Sequence, residues 1–132
     1  MKALEIPTSQ KEEMIDITDH VKKTAADSSI REGICVVFVP HTTAGVTINE
    51  NADPTVKSDI LMVLRDLVPD SLPFRHSEGN SHAHVKSSLV GSSVTIPVEG
   101  GRLALGTWQG IYFCEFDGPR RRRLYIQVHG DV

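Results

Sequence analysis

The chain has 132 residues, of which 39% are hydrophobic and 23% charged, and this composition is ordinary for a soluble globular domain. Its formal net charge of −3 gives no overall attraction to nucleic acid or to an anionic membrane, so we expect neither partner. No apolar run approaches the roughly 20 residues of a membrane span, and the first residues lack the apolar core of a signal peptide. We therefore predict one cytoplasmic domain over residues 1–132.

The first half of the chain is predicted to contain four strands and two helices. The continuous apolar run at 34–39 predicts a central strand that is covered on both faces. Asp53 and Pro54 predict a helix start, because Asp caps free N–H groups and Pro suits the first helical position. The strands are placed at 2–6, 13–17, 34–39 and 46–49, and the helices at 18–26, capped by Thr18 or Asp19, and at 54–68, with Val56, Ile60, Val63, Leu64 and Leu67 on the apolar face.

The second half is predicted to carry a long loop, a brief helix and four strands. The loop spans 69–80, and Ser81 can cap a helix that ends at Gly91. The single tryptophan, Trp108, is predicted to lie in the core at a strand corner. Strands follow the helix at 93–98, 102–105, 111–117 and 123–129. A chain that opens and closes with strands predicts an α+β fold with a mostly antiparallel sheet and two or three helices.

Two cysteines occur in the chain, Cys35 and Cys114, and each lies in an apolar strand-like run. This placement predicts buried thiols in a reducing compartment. A disulfide between neighbouring strands is the less favoured alternative.

Histidines are the first candidates for chemistry. His41 stands where the buried strand leaves the core. On a helix, His82 and His84 would diverge by about 200°, so only one of them can join a shared site. We favour His84, because Ser88 lies one turn further along the same face. The alternative is that both histidines are solvent-exposed surface residues.

Glu115 and Asp117 alternate with Phe116 and should share one strand face. If that face lines a pocket with the histidines, His41, His84 and Glu115 could hold Mg²⁺, Mn²⁺ or Zn²⁺. A solvated strand face is the alternative.

Four consecutive arginines, residues 120–123, form the most basic run. Strand alternation places Arg120 and Arg122 on one face and the other two on the opposite face, which is a poor arrangement for binding duplex nucleic acid. It suits one arginine that grips a phosphate or carboxylate. We predict Arg120 in this role, with Lys86 as a second positive group.

Three segments in this order and spacing resemble the YjbQ family, also known as UPF0047: HTTAGVTINENADPTVKSDI, SHAHVKSSLVG and GTWQGIYFCEFDGPRRRR. The resemblance covers nearly the whole chain and implies an α+β fold, a trimeric assembly and a pocket built from these segments. Members are described as secondary thiamine-phosphate synthases, after a weak side activity. The pocket residues that the resemblance implies are His41, Thr43, Asn49, Asn51, Asp53, His84, Lys86, Thr107, Gln109, Glu115 and Arg120.

The first functional hypothesis is therefore an enzyme that joins a pyrimidine methyl diphosphate to a thiazole phosphate and releases pyrophosphate. His41, His84 and Glu115 are its predicted catalytic residues, and Arg120 and Lys86 are its phosphate ligands. Two alternatives stay open: an enzyme acting on another phosphorylated or carboxylated metabolite, and a non-catalytic protein that binds a metal or an anion. A homotrimer could either complete each site with a neighbour's residues or carry three independent sites.

Overall fold

A computed structural model describes residues 1–132 and contains eight strands and three helices. The strands are β1 (Lys2–Pro7), β2 (Glu13–Asp16), β3 (Glu32–Phe38), β4 (Ala44–Glu50), β5 (Ser93–Glu99), β6 (Arg102–Leu103), β7 (Gln109–Glu115) and β8 (Arg121–Asp131), and the helices are α1 (Thr18–Asp27), α2 (Pro54–Leu67) and α3 (Ser81–Val90). One sheet has the order β1-β8-β3-β5-β6 and the other β2-β7-β4, and every pairing is antiparallel. The predicted α+β fold with a mostly antiparallel sheet is confirmed.

The main core lies between the two sheets and is built from alternate residues of their strands. Val37 of β3 and Leu124 of β8 meet Phe113 of β7 there, and all three side chains are buried. The prediction that β3 is central is correct, but the prediction that both its faces are covered is wrong, since Ile34 and Phe38 are 43% and 42% exposed. A continuous apolar run does not tell which face is covered, and an antiparallel sheet can leave one face open.

The strand that is covered on both faces is β7. Its Ile111 and Phe113 belong to the main core, whereas Tyr112 and Cys114 belong to a second buried cluster beneath α2 and α3. Glu115, at the end of this strand, is therefore held at a well-packed position. This packing decides the geometry of the candidate site.

Helix α2 begins as predicted, with the Asp53 side chain accepting a hydrogen bond from the Thr55 N–H and Pro54 in the first turn. Its predicted apolar face is only partly correct. No residue of α2 is fully buried, and Val63 and Leu67 are exposed, while Leu64 packs against the second cluster. None of the three helices is long and apolar enough to cross a membrane.

Three local predictions are wrong. The residue before the first turn of α1 is Ile17 rather than Thr18 or Asp19, and that of α3 is Asn80 rather than Ser81. Sequence patterns define helix ends only to within one or two residues. Trp108 is 63% exposed, because it lies in the connection before β7, outside the region between the sheets.

The two cysteines are free and buried, as predicted, and their strands β3 and β7 belong to different sheets. Burial raises the pKa of Cys35 to about 11 and that of Cys114 to about 12. We expect that neither thiol of the folded protein reacts with Ellman's reagent at pH 8, since the reactive form is the thiolate. The control is the same protein in guanidinium chloride, where both thiols should react. A rapid reaction of the folded protein with the reagent, seen as an increase in absorbance, would contradict this expectation.

Candidate functional site

A cleft of about 670 Å³ opens where the end of β3, the start of β4, the start of α3 and the start of β8 converge. Only two of its thirteen lining residues are hydrophobic. We call it the His41 cleft, after the residue that follows β3 at its rim. The predicted residues Thr43, His84 and Arg120 line it together with His41. Four of the predicted residues therefore lie around one cleft at this end of the molecule.

A buried ion pair joins Arg122, which lines the His41 cleft, to Glu115, which lies behind it. Glu115 is fully buried and Arg122 is 3% exposed. Arg122 Nε donates to Glu115 Oε1 at 2.9 Å, and its Nη2 contacts the other carboxylate oxygen and donates to Thr43 Oγ1 at 2.8 Å. Thr8 Oγ1 and the Asp117 N–H donate to the same carboxylate, at 2.7 and 3.0 Å. These contacts fix both the position and the plane of the guanidinium.

One nitrogen of Arg122, Nη1, has no partner within the chain, because all its side-chain hydrogen bonds come from Nε and Nη2. The only buried side-chain nitrogen or oxygen atom without a partner is Asn80 Oδ1, so Arg122 Nη1 is not buried. Since Arg122 lines the cleft, its Nη1 hydrogens are available to a ligand there. A fixed, planar guanidinium edge is a strong recognition group for phosphate or carboxylate.

The charge state of Glu115 follows from its hydrogen bonds. Burial alone would raise the pKa of the Glu115 carboxyl, but hydrogen bonds from Arg122, Thr8 and the Asp117 backbone outweigh it. The net effect lowers the pKa of Glu115 below its ordinary value, so the group is ionised at neutral pH. Glu115 is therefore the counter-ion that orients Arg122.

His41 presents a neutral ring to the cleft. Its Nε2 accepts a hydrogen bond of 2.8 Å from the Arg123 backbone N–H. A backbone N–H can only donate, so the ring proton lies on Nδ1. Partial burial and the nearby charge of Arg122 lower the pKa of His41, against a smaller opposing effect of Glu115. His84 lies across the cleft, where its ring packs edge-on against His76 with centroids 5.4 Å apart.

The neutral state of His41 predicts a pH dependence of stability. Its folded-state pKa lies below the ordinary value near 6.5, so the unfolded state binds the proton more tightly. The contribution of His41 is full above about pH 6.5 and is lost as the pH falls through its folded-state pKa. We expect the free energy of unfolding to fall more steeply between pH 7 and pH 5 in the parent protein than in His41→Gln. Parallel curves, measured by urea denaturation, would show that His41 is not held neutral.

Arg120, the predicted anion ligand, is held by a different partner. Its Nη2 lies 2.6 Å from Asp117 Oδ2 and its Nε donates to the Asp117 carbonyl, while the side chain stays half exposed. Asn80 Nδ2 donates to the same Asp117 oxygen at 2.9 Å. Arg120 thus borders the His41 cleft as a half-exposed group paired with Asp117, whereas Arg122 is buried and its plane is fixed by Glu115 and Thr43.

Lys86 does not reach the cleft, and this prediction needs correction. Its Nζ lies 3.1 Å from His82 Nδ1 and 3.1 Å from Glu12 Oε2, in a separate cleft of about 130 Å³ on another side of α3. His84 and Lys86 are two residues apart on a helix, so they diverge for the same reason that separates His82 from His84. Burial and the charge of Lys86 lower the pKa of His82, which lies in this second cleft.

Five other residues that the family resemblance implies for the pocket lie at the opposite end of the sheet. In the β4–β7 pairing Ala44 faces Glu115, whereas Glu50 faces Gln109, which puts the two ends roughly 20 Å apart. Asn51 contacts Asp16 there. These five residues are Asn49, Asn51, Asp53, Thr107 and Gln109, and none of them lines the His41 cleft. A single pocket for all eleven residues is therefore wrong within one chain.

The predicted metal ligands do not fit a metal ion. Both Glu115 oxygens are occupied by donors, and the His41 Nε2 lone pair accepts the Arg123 N–H. His84 alone keeps its ring nitrogens free of such contacts. No group of three or more His, Cys, Asp or Glu side chains in the chain is arranged to hold a metal ion. We therefore assign no metal to His41, His84 and Glu115.

Arg122 is the residue that the sequence reasoning missed, although a signal for it exists. It alternates with Leu124 and Ile126, both of which point into the core, so strand periodicity alone predicts an inward arginine. Its partner Glu115 lies on β7 of the other sheet, so the ion pair bridges the two sheets. Asn80 and His76 also line the cleft, and the loop that carries His76 has no periodic pattern that could place it.

Comparisons with known proteins agree with this architecture. The family model described as UPF0047 protein YjbQ-like matches residues 2–131. A UPF0047 protein of Methanocaldococcus jannaschii is 55% identical over 96% of this chain and 92% of its own length, and the UPF0047 protein YugU of Bacillus subtilis is 53% identical over 98% and 99%.

Solved structures give the same result. A crystal structure of an uncharacterised YjbQ/UPF0047 protein of Clostridium acetobutylicum is 53% identical, with a TM-score of 0.96 over 98% of this chain and all of that chain. A YbjQ-like protein of unknown function from Sulfolobus solfataricus has a TM-score of 0.95 at 34% identity, over 98% of this chain and 96% of that chain. The chain therefore belongs to the YjbQ-like UPF0047 family.

Proposed function

We propose that this protein is a cytoplasmic enzyme that binds a small phosphorylated or carboxylated metabolite in the His41 cleft. One observation carries the proposal: Arg122 is buried and fixed by Glu115, yet it lines the cleft and its Nη1 has no partner within the chain. If Arg122 only stabilised the fold, an unpaired Nη1 would add nothing to that stability. The fixed edge is preorganised to bind an anion.

The two histidines supply a fixed hydrogen-bond donor and a group that can transfer a proton beside this anion. His41 is a hydrogen-bond donor at Nδ1, and His84 lines the same cleft. Imidazoles titrate closest to neutral pH of all side chains, which suits general acid–base catalysis. In this proposal Arg122 binds the charged group, His41 donates a hydrogen bond to it from Nδ1, and His84 protonates or deprotonates the atom next to it.

The reaction to test first is the one that the family resemblance implies, thiamine-phosphate synthesis. The thiazole nitrogen attacks the methylene carbon of the pyrimidine methyl diphosphate. Its lone pair forms the new C–N bond, and the C–O bond breaks with its electron pair leaving on pyrophosphate. Arg122 would stabilise the negative charge that develops on this leaving group.

The assay supplies both substrates, with and without Mg²⁺, because diphosphate substrates commonly carry this ion. Thiamine phosphate is quantified for the parent protein, Arg122→Lys and His84→Ala, with Arg121→Lys as the matched control on the exposed side of the same strand. Turnover that the first two variants lose and the control keeps supports the site. Turnover unchanged in all variants would remove the His41 cleft from this reaction.

The second candidate is an enzyme for another anionic metabolite, with thiamine-phosphate synthesis as a side reaction. The lining of the His41 cleft favours it, because only two of its thirteen residues are hydrophobic, whereas sites for aromatic ligands are lined mainly by hydrophobic and aromatic side chains. A kcat/KM for the thiamine precursors far below about 10⁴ M⁻¹s⁻¹ would support this second candidate. A value within the ordinary range of about 10⁴–10⁸ M⁻¹s⁻¹ would refute it.

We further propose a homotrimer, as the family resemblance implies. The five implied pocket residues at the far end of β4 and β7 would then approach the His41 cleft of a neighbouring subunit, which accounts for their separation within one chain. Light scattering should give three times the mass of one chain. Mixed trimers of Arg122→Ala and Asn51→Ala subunits should regain binding if sites are shared, and confirmed mixed trimers without recovery would refute sharing.

A further inference from the structure

The His41 cleft adjoins a second cavity of about 490 Å³, and the two share four lining residues, His41, Thr42, His84 and Ser92. No residue that lines the second cavity is hydrophobic. Apart from the two histidines and Gly91, its lining consists of hydroxyl-bearing side chains. We call it the hydroxyl lobe, after Thr42, Ser87, Ser88 and Ser92.

The hydroxyls of this lobe differ in what they can still bind. Ser87 Oγ donates to the Ala44 carbonyl at 2.7 Å, and Ser88 Oγ donates to the His84 carbonyl at 3.0 Å, so both can only accept from a ligand. Thr42 and Ser92 are exposed, and neither hydroxyl makes a hydrogen bond within the chain. These two can both donate and accept. The lobe therefore offers complementary partners for a ligand's own hydroxyl groups.

A ligand that occupies both cavities places a different part of itself in each. The charged part binds the Arg122 Nη1 edge, and the remainder extends past His41 and His84 into the hydroxyl lobe. Sites for aromatic or aliphatic groups are lined mainly by hydrophobic side chains, and no hydrophobic residue lines this lobe. A hydroxylated aliphatic body, in contrast, exchanges its hydrogen bonds with water for bonds to these side chains.

We infer that the ligand of this cleft is a phosphorylated or carboxylated polyol, with its anionic group on Arg122 and its hydroxyl groups on Thr42 and Ser92. The inference rests on the proposed anion site and deepens it by naming the chemistry of the uncharged part. Thr42 and Ser92, like His41 and His84, line both cavities, so the two unpaired hydroxyls stand where the anion site meets the hydroxyl lobe.

The test compares four probes by isothermal titration calorimetry: inorganic phosphate, propyl phosphate, glycerol 1-phosphate and phenyl phosphate. Propyl phosphate and glycerol 1-phosphate share a three-carbon chain and differ in two hydroxyls, so their ratio isolates the effect of hydroxyl binding. We expect glycerol 1-phosphate to bind about tenfold more tightly than propyl phosphate, as two net hydrogen bonds allow. Phenyl phosphate should gain nothing over inorganic phosphate.

The combined variant Thr42→Val/Ser92→Ala should reduce the ratio of glycerol 1-phosphate to propyl phosphate affinity to about one, since it removes the two unpaired hydroxyls. Ser93→Ala is the matched control, because Ser93 is exposed on the adjacent strand β5 and lines neither cavity. This control should keep the tenfold preference.

Two outcomes overturn the inference in different ways. If phosphate binds but propyl or phenyl phosphate binds as tightly as glycerol 1-phosphate, the polyol inference fails and the anion site stands. If none of the four probes binds, the proposed function fails and the polyol inference fails with it.

Discussion

Replacing Glu115 with alanine is expected to lower the free energy of unfolding by about 3–5 kcal/mol, because it leaves the buried Arg122 guanidinium without its counter-ion. The loss is large because Thr8 Oγ1 and the Asp117 N–H also lose their shared acceptor. Guanidinium chloride denaturation followed by circular dichroism measures the effect.

The matched control is Glu5→Ala. Glu5 lies 3.9 Å from Arg121 across β1 and β8, and both side chains are mostly exposed. Exposed pairs of this kind contribute about 0–1 kcal/mol, so the control should unfold close to the parent protein. Glu115→Leu/Arg122→Met should be more stable than Glu115→Ala, because it removes both buried charges together. Equal losses for Glu115→Ala and Glu5→Ala would contradict a buried, fixed ion pair.

Replacing Arg122 with lysine is expected to weaken the binding of inorganic phosphate by about 10–100-fold. Lysine keeps the positive charge but lacks the Nη1 edge, and a hydrogen bond to a charged group is worth about 1.5–3 kcal/mol. The measurement is isothermal titration calorimetry at low ionic strength. Near-ultraviolet circular dichroism of the same sample verifies that the variant is folded.

Two neighbouring arginines serve as controls for this loss. Arg121→Lys changes an exposed side chain on the opposite face of β8 and should bind phosphate like the parent protein. Arg120→Lys changes a residue that borders the cleft but is held by Asp117, so we expect a smaller loss than for Arg122→Lys. If Arg120→Lys proves the more damaging substitution, the anion anchor has been assigned to the wrong arginine.

Local sequence patterns predict most of the fold. The Asp53-Pro54 helix start and the period-two alternation of the strands follow from interactions between residues close in sequence. Which face of β3 is covered is decided by where the second sheet lies, and local periodicity carries no such information. Ile34 and Phe38 consequently look like core residues in the sequence but lie on an open face.

The candidate site is only partly predictable, because closeness in sequence differs from closeness in space. His41 and Thr43 both line the cleft, since they lie at the strand end where it opens. Asn49 and Asn51 belong to the same motif, but the extended strand β4 carries them away from it. Helical geometry separates Lys86 from His84 in the same manner.

The sequence contains a signal for the buried position of Arg122 that a search for motifs overlooks. It stands in a run of four arginines, where composition draws attention to surface charge. Its alternation with Leu124 identifies it as inward-facing, but only the packing of the two sheets reveals Glu115 as its partner. A charged residue at an inward strand position requires a buried counter-ion, so the same alternation predicts a carboxylate partner for Arg122.

A crystal structure of the protein with inorganic phosphate tests most directly whether Arg122 Nη1 anchors the bound anion. We predict a phosphate oxygen about 2.7–2.9 Å from Arg122 Nη1, as for other charge-assisted hydrogen bonds. We also predict that the Arg122–Glu115 contacts remain as they are without the ligand. Phosphate bound to Arg120 or in the Lys86 cleft, with Arg122 Nη1 left to water, would contradict the assignment.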